Sequence, residues 1–204
     1  HVTHNDSSTL SPTYVKARPM WLAGQLNANS GAISASIVGA SLFGDADVGA
    51  ASYDYKGYAF DVRATYDFAK AGGPPLTLTA IFGSGSGDDN ASDTDIQDFW
   101  SPVPSYTHTA IFLDHGDAGE GGAQLSHTAR SSTNYTAVTG NAQAGGIGNL
   151  NWLGLKASYK LTDKTTLNLT GATFSLAEKN VTGGTSYKGD DLGKEFDVAL
   201  AHQL

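Results

Sequence analysis

Residues 58–68 read Tyr58-Ala59-Phe60-Asp61-Val62-Arg63-Ala64-Thr65-Tyr66-Asp67-Phe68. Tyr58, Phe60, Val62, Ala64, Tyr66 and Phe68 fall on one side of an extended chain, and Ala59, Asp61, Arg63, Thr65 and Asp67 on the other, because successive side chains of a strand point to opposite faces. A helix would scatter the same residues around its axis. At about 3.3 Å per residue the stretch spans roughly 36 Å, enough to cross a hydrocarbon layer of ~30 Å. Strands of soluble sheets are ordinarily nearer five or six residues.

The same two-residue beat recurs on both sides of this segment. Leu153, Leu155, Ala157 and Tyr159 alternate with Gly154, Lys156, Ser158 and Lys160, and Leu76, Leu78, Ala80 and Phe82 alternate with Thr77, Thr79 and Ile81. Phe196, Val198 and Leu200, Ile33, Ala35 and Ile37, and Leu167 and Leu169 repeat the pattern. Seven strands are expected, at about 17–28, 31–43, 54–69, 76–84, 149–161, 164–177 and 193–204, the first with the weakest phase. The links between them alternate in length. Tight turns are expected near Asn29-Ser30, over 70–75 and at Thr162-Asp163, with longer links over 44–53, 85–148 and 178–192.

Composition narrows the classes. Of 204 residues only 16% are charged, 25 are Gly and none is Cys, and the formal net charge is −8. Zero Cys excludes disulfide scaffolds and thiolate metal sites. The acidic balance argues against a nucleic-acid partner, which demands a basic surface. No run of about 18 apolar residues supplies a spanning helix. A meander with short turns at one end and long links at the other fits an antiparallel up-and-down transmembrane β-barrel. Lipid leaves no other route for strands, since every backbone polar group there must pair internally. Tyr58, Tyr66, Phe68, Tyr159 and Phe174 near strand ends suit the aromatic girdles of such a barrel. The whole chain, 1–204, is then part of one barrel domain in a bacterial outer membrane, with a long external loop at about 85–148.

Single-chain bacterial barrels carry even strand numbers of about eight or more, and seven strands leave two bare edges. The chain starts at His1 with no basic–apolar leader, and its last strand runs to the final residue. It is expected to be a partial barrel cut from a larger one.

Residues 149–204 resemble the alginate-export family of outer-membrane β-barrels. The resemblance rests on Leu153-Gly154-Leu155-Lys156-Ala157-Ser158-Tyr159-Lys160, on Thr162-Asp163-Lys164-Thr165-Thr166-Leu167, on Leu176-Ala177-Glu178-Lys179 and on Asp191-Leu192-Gly193-Lys194-Glu195-Phe196-Asp197. Lys56-Gly57-Tyr58-Ala59-Phe60-Asp61, Gly83-Ser84-Gly85-Ser86-Gly87-Asp88-Asp89-Asn90 and the run Phe99-Trp100-Ser101-Pro102 are similar too, so about half the chain is covered. The likeness implies the C-terminal portion of a porin-like channel of about 18 strands, without the closing strand. It does not imply alginate as solute. The family's arginine-rich constriction is not carried over, since only Arg18, Arg63 and Arg130 occur.

The polar phase of the strands gives the pore-lining candidates Asp61, Arg63, Asp67, Lys156, Lys160, Glu195 and Asp197, a mixture of signs that suits passive diffusion of small hydrophilic or ionic solutes. A ladder of salt bridges that only stabilises the wall uses the same residues. Asp88, Asp89, Asn90, Asp93 and Asp95 gather hard oxygen ligands of the kind calcium takes at external loops, without the spacing of an EF-hand; a solvated acidic loop is the plainer reading. Asp114-His115-Gly116-Asp117 with Glu120 reads as a metal or acid–base cluster of the kind that suits zinc or manganese, but Gly121-Gly122 make the loop pliable and an ordinary loop is the plainer reading. The sequence contains no nucleophile elbow, P-loop or zinc-helix motif, so neither catalysis nor a cofactor is expected. Outer-membrane lipid and lipopolysaccharide are the expected partners, together with the solutes, a second copy of the chain, or a protein within the lumen. The alternatives are a barrel sheath around a partner such as a multihaem cytochrome, and a secreted soluble β-sandwich that binds ligands.

Overall fold

The computed structural model describes residues 2–3, 15–89, 93–99, 148–178 and 190–203. These form an all-β fold without a helix. Ten strands follow one another as β1 (Val2–Thr3), β2 (Val15–Ser30), β3 (Ile33–Val48), β4 (Ala51–Tyr55), β5 (Tyr58–Asp67), β6 (Leu76–Gly85), β7 (Asp95–Ile96), β8 (Leu150–Thr162), β9 (Thr165–Leu176) and β10 (Asp191–His202). They build one open sheet in the order β1-β2-β3-β5-β6-β8-β9-β10, with β4 and β7 joined beside β3. All seven expected strands are present within a few residues. The expected total of about seven is nevertheless too low, because two-residue pairings add β1 and β7 and the third strand is divided in two. The sheet is also mixed, since β4 and β7 run parallel, and it is not closed.

The division between β4 and β5 is nominal. Gly44 stands opposite Tyr55 and Ser41 opposite Tyr58, and between them the Leu42 N–H donates to the Gly57 carbonyl at 2.7 Å. One register therefore runs along β3 without a slip. The link expected over 44–53 is strand for most of its length, because β3 continues to Val48 and returns through Gly49 and Ala50 into β4. Gly49 has φ of 61° and Gly31, which opens the two-residue turn between β2 and β3, has φ of 57°. A glycine in the left-handed region at the first turn position gives the twist that joins antiparallel strands tightly.

The connections sort by end but not by the expected length: the Gly49-Ala50 turn after β3 is as tight as the turn after β2, whereas residues 68–75 after β5 form a longer link. The turns after β2, β5 and β8 lie together at one end of the strands, and the connections after β3, β6 and β9 leave from the other. These are called below the turn end and the far end.

Register assigns every strand residue to a face. Among the described residues, all the exposed large apolar side chains stand on one side. They include Leu22 and Leu26 on β2, Ile33 and Ile37 on β3, Tyr58 and Tyr66 on β5, Phe82 on β6, Leu153 and Leu155 on β8, and Phe196, Val198 and Leu200 on β10. Half-exposed side chains of this size leave on the order of 1,000 Å² of apolar surface uncovered, beyond the ~300–600 Å² of the largest patch on a soluble monomer. The opposite side carries the polar residues and, toward the far end, a buried cluster of Leu42, Ala46, Tyr55, Trp152 and Phe174, joined by Ile96 and Phe99. Phe174 is 2% exposed there. It belongs to this interior and not to the girdle expected from its place near a strand end, because its even position on β9 turns it away from the apolar side.

Gly83 permits the tightest packing in that cluster. It stands opposite Trp152, and a Cβ at Gly83 would fall within the indole ring. The ring lies over the bare glycine backbone, as aromatic residues do beside strand glycines. Gly83→Val is expected to displace the indole and to cost about 1–3 kcal/mol by overpacking, read as a lower urea midpoint together with a red shift of tryptophan emission.

Candidate functional site

The polar side of the sheet collects the functional candidates, and the register lays them out in rows. One row runs Asn29, Ser34, Thr65, Thr79, Lys156, Thr170, Asp197 across seven strands. The neighbouring row toward the far end runs Asn27, Ser36, Arg63, Ile81, Gly154, Ala172, Glu195. Toward the turn end come Asp67, Thr77, Ser158, Asn168 and Ala199. All seven residues expected to line a pore therefore share this face, as their phase in the sequence requires.

They differ in what they do there. Asp61 is 2% exposed and accepts a hydrogen bond of 2.6 Å from Arg63 Nε. A buried carboxylate needs such a partner, because desolvation alone would disfavour its charge. Asp67 closes the adjoining turn: its Oδ1 accepts from the N–H groups of Ala69 and Lys70 at 3.0 and 3.3 Å, and its Oδ2 lies 3.8 Å from Lys70 Nζ. Lys156 and Lys160 are exposed, and among the described residues neither has an ion-pair partner. Glu195 and Asp197 are half-buried on β10, two strands from the lysines. With strands ~4.8 Å apart, Lys156 and Asp197 are separated by about 10 Å of backbone. Hydroxyls and amides fill the space between charges, as in the pairs Thr65 with Thr79 at 2.9 Å and Ser158 with Asn168 at 2.7 Å.

The far end is different in kind. Residues 93–99 are drawn in beside β4 by the bonds Asp54 N–H to Thr94 carbonyl and Lys56 N–H to Ile96 carbonyl, both 2.9 Å, and by the Lys56–Asp95 ion pair at 2.7 Å. That hydrogen bond to Asp95, above all, holds the Lys56 ammonium above its ordinary range. The chain then crosses onto the polar side. A Cβ at Gly57, which would point that way, would lie 2.8 Å from the Asp98 carbonyl oxygen and 2.9 Å from Phe99 Cα. Burial, and after it the Asp45 carboxylate, push the Tyr55 phenol well above its ordinary range, so it stays neutral within this covered zone.

The acidic run proposed for calcium is distributed among separate bonds. Asp88 is 4% exposed and accepts from Gln97 N–H at 3.3 Å, Asp89 accepts from the Gln97 side chain at 3.1 Å, Asp93 accepts from Asp95 N–H at 2.9 Å, and Asp95 holds Lys56. Among the described residues no three acidic or histidine side chains converge as metal ligands. Asn90 lies outside the described residues, as do Asp114, His115, Asp117, Glu120 and Trp100.

Four residues that organise this region are not singled out by the strand pattern: Gly57, Gly83, Ser86 and Asn149. For Gly83 and Ser86 the trace in the sequence is Gly83-Ser84-Gly85-Ser86-Gly87, a density of small residues that marks close backbone approach; Gly57 and Asn149 have no such local signal. Comparison with models of known protein families and with functionally characterised proteins returned no match.

Asp61→Asn is expected to lower stability by about 1–2 kcal/mol, less than the ~3–5 of a fully buried broken pair, because Arg63 keeps partial access to water. In a double-mutant cycle with Arg63→Met, urea unfolding should show the double variant losing less than the sum of the two single losses.

Proposed function

We propose that this chain is wall of an outer-membrane β-barrel that lets small hydrophilic or ionic solutes diffuse passively through its polar side. The observation that carries the reading is the division of seven long strands into one uncovered apolar face and one polar face. Along β2 the uncharged stretch of the apolar face runs from Met20 to Ser30, roughly 33 Å of strand, which at a tilt of ~40° matches an apolar band of ~25 Å. At the far end the band stops at Arg18, which bridges Asp45 at 3.0 Å and Asp47 at 3.2 Å. At the turn end Asp163 and Lys164 bound it. Tyr66, Phe68 and Tyr159 lie near the turn-end border, and Phe43 and Tyr58 near the other, where aromatic rings meet headgroups.

The two longest connections between the long strands, 86–149 and 177–190, both leave from the far end, which supports the same reading with the turn end in the periplasm. The resemblance of residues 149–204 to alginate-export barrels points the same way. A soluble sandwich hides its apolar face against a second sheet, whereas the described residues leave this one uncovered. Outer-membrane lipid and lipopolysaccharide contact the apolar face, and the passive route requires no cofactor. A polar face of mixed sign favours general over tightly selective passage.

Planar-bilayer recording of the intact protein under a salt gradient tests the reading. Steady ohmic current with a defined reversal potential is expected. Insertion without current would demote transport in favour of a filled sheath, and failure to insert would overturn the membrane reading. Adjacent residues provide the control: Leu155→Arg places a charge in the apolar band and should cost about 2–4 kcal/mol of folding into bilayers. Lys156→Gln, one residue along and on the opposite face, should leave folding unchanged and shift the reversal potential.

A further inference from the structure

We propose that Ser86 is the positioning residue of a size filter: it pins residues 93–99 across the polar side, so that the solute path narrows beyond the row of Asp61, Gly83 and Trp152, at the level of Gly57 and Ser86. This deepens the channel reading above and rests on it.

Exposure on the polar side falls along the strands from the turn end to the far end, with Ile81, Ala172 and Thr170 already buried between them. At the turn end Asn27, Asn29, Lys156 and Lys160 are exposed. At the far end Leu42, Trp152 and Phe174 are at most 2% exposed, and Ile96 and Phe99 are buried with them. The boundary falls near the row of Asp61, Gly83 and Trp152; four residues from Asp61 toward the far end, the chain entering through Asp98 and Phe99 lies against Gly57. A hydrated solute moving along this face loses its open, hydroxyl-lined surface beyond that row.

Ser86 joins every segment that meets there. Its hydroxyl accepts from Tyr58 N–H at 2.8 Å and donates to the Gln97 carbonyl at 2.6 Å. Its carbonyl uses both lone pairs, accepting from Phe99 N–H and from Asn149 N–H, each at 3.0 Å. Its own N–H donates to the Tyr58 carbonyl at 2.8 Å. Asn149 extends the tie with φ of 52°. Its amide oxygen accepts from Glu178 N–H at 2.7 Å, and its amide nitrogen donates to the Glu178 carbonyl at 3.3 Å. Residue 86 is 6% exposed, so these bonds do not compete with bulk water and hold the covering segment in one place. The segment is thus a fixed part of the wall.

The test uses the full chain in planar bilayers. Ser86→Ala removes both hydroxyl bonds and leaves the backbone bonds intact. It is expected to raise single-channel conductance about two-fold and to admit larger polyethylene glycols than the unaltered protein, with the same heat-modifiable gel migration. Adding Asp54→Cys and Asp95→Cys, which face each other across β4 and β7 in a chain without cysteines, should restore the original conductance when the disulfide forms and release it on reduction. Should Ser86→Ala not fold, Lys56→Met with Gln97→Ala removes only exposed ties of the segment and is expected to shift conductance in the same direction. A folded variant with unchanged conductance and exclusion size overturns this proposal alone. Absence of current from the unaltered protein overturns the channel reading beneath it.

Discussion

Backbone pairing across the sheet fixes which residue stands beside which, and with it the surroundings of every side chain. Because the side-chain period is two, a slip of one residue between any two neighbouring strands would turn that strand's apolar set to the polar side and its charges to the other. Here the register holds along the seven long strands except at two bulges, between Lys160 and Thr162 and between Asp191 and Gly193, and the two compositions stay largely apart, with the exposed Lys194 on the apolar side beyond Phe196. Everything else depends on that constraint: the uncovered apolar band, the rows of hydroxyls and amides, and the charges that face one another across Thr170.

Charge on the polar side is arranged in two ways. Where a carboxylate is buried, as Asp61 is, a guanidinium is held against it, since isolated charges are costly away from water. Where side chains reach solvent, as Lys156 and Lys160 do, they remain without an ion-pair partner among the described residues. Burial thus separates the carboxylate held within the wall from the lysines that reach solvent. The acidic residues at 88–95 follow neither pattern: buried or exposed, they hold the fold of their own segment together through Gln97 and Lys56.

Much of the sheet was legible because the two-residue period is a local property. Residues 58–68 announce their two faces without help from the rest of the chain, and the Gly-Ala turn at 31–32 falls within two residues of the turn expected near Asn29-Ser30. What was not legible depends on contacts far apart in sequence. Nothing near residue 86 says that its hydroxyl will meet Tyr58 and Gln97, or that Gly57 must lack a side chain because Phe99 passes over it. The division of the polar side into an open and a covered zone has the same origin: Trp152 and Phe174 look like any aromatic residues near strand ends until segment 93–99 closes over them. The parallel pairing of β4 with β7 was hidden for the same reason, since two residues carry no periodicity.

The β6–β8 pairing stands apart from the others. The remaining long strands pair with the next long strand in sequence through tight turns or modest links, whereas Gly85 meets Leu150 and Leu76 meets Tyr159 across the longest excursion in the chain. Closing a long excursion costs only ~0.6 kcal/mol more for each doubling of its length, so this seam tolerates changes in the length of the connection far better than the turns do. It also imposes an order on assembly. Two hairpin sets, β2 to β6 and β8 to β10, zip up from local contacts, and their junction, locked by Trp152 over Gly83 and by the Ser86–Asn149 bond, closes last.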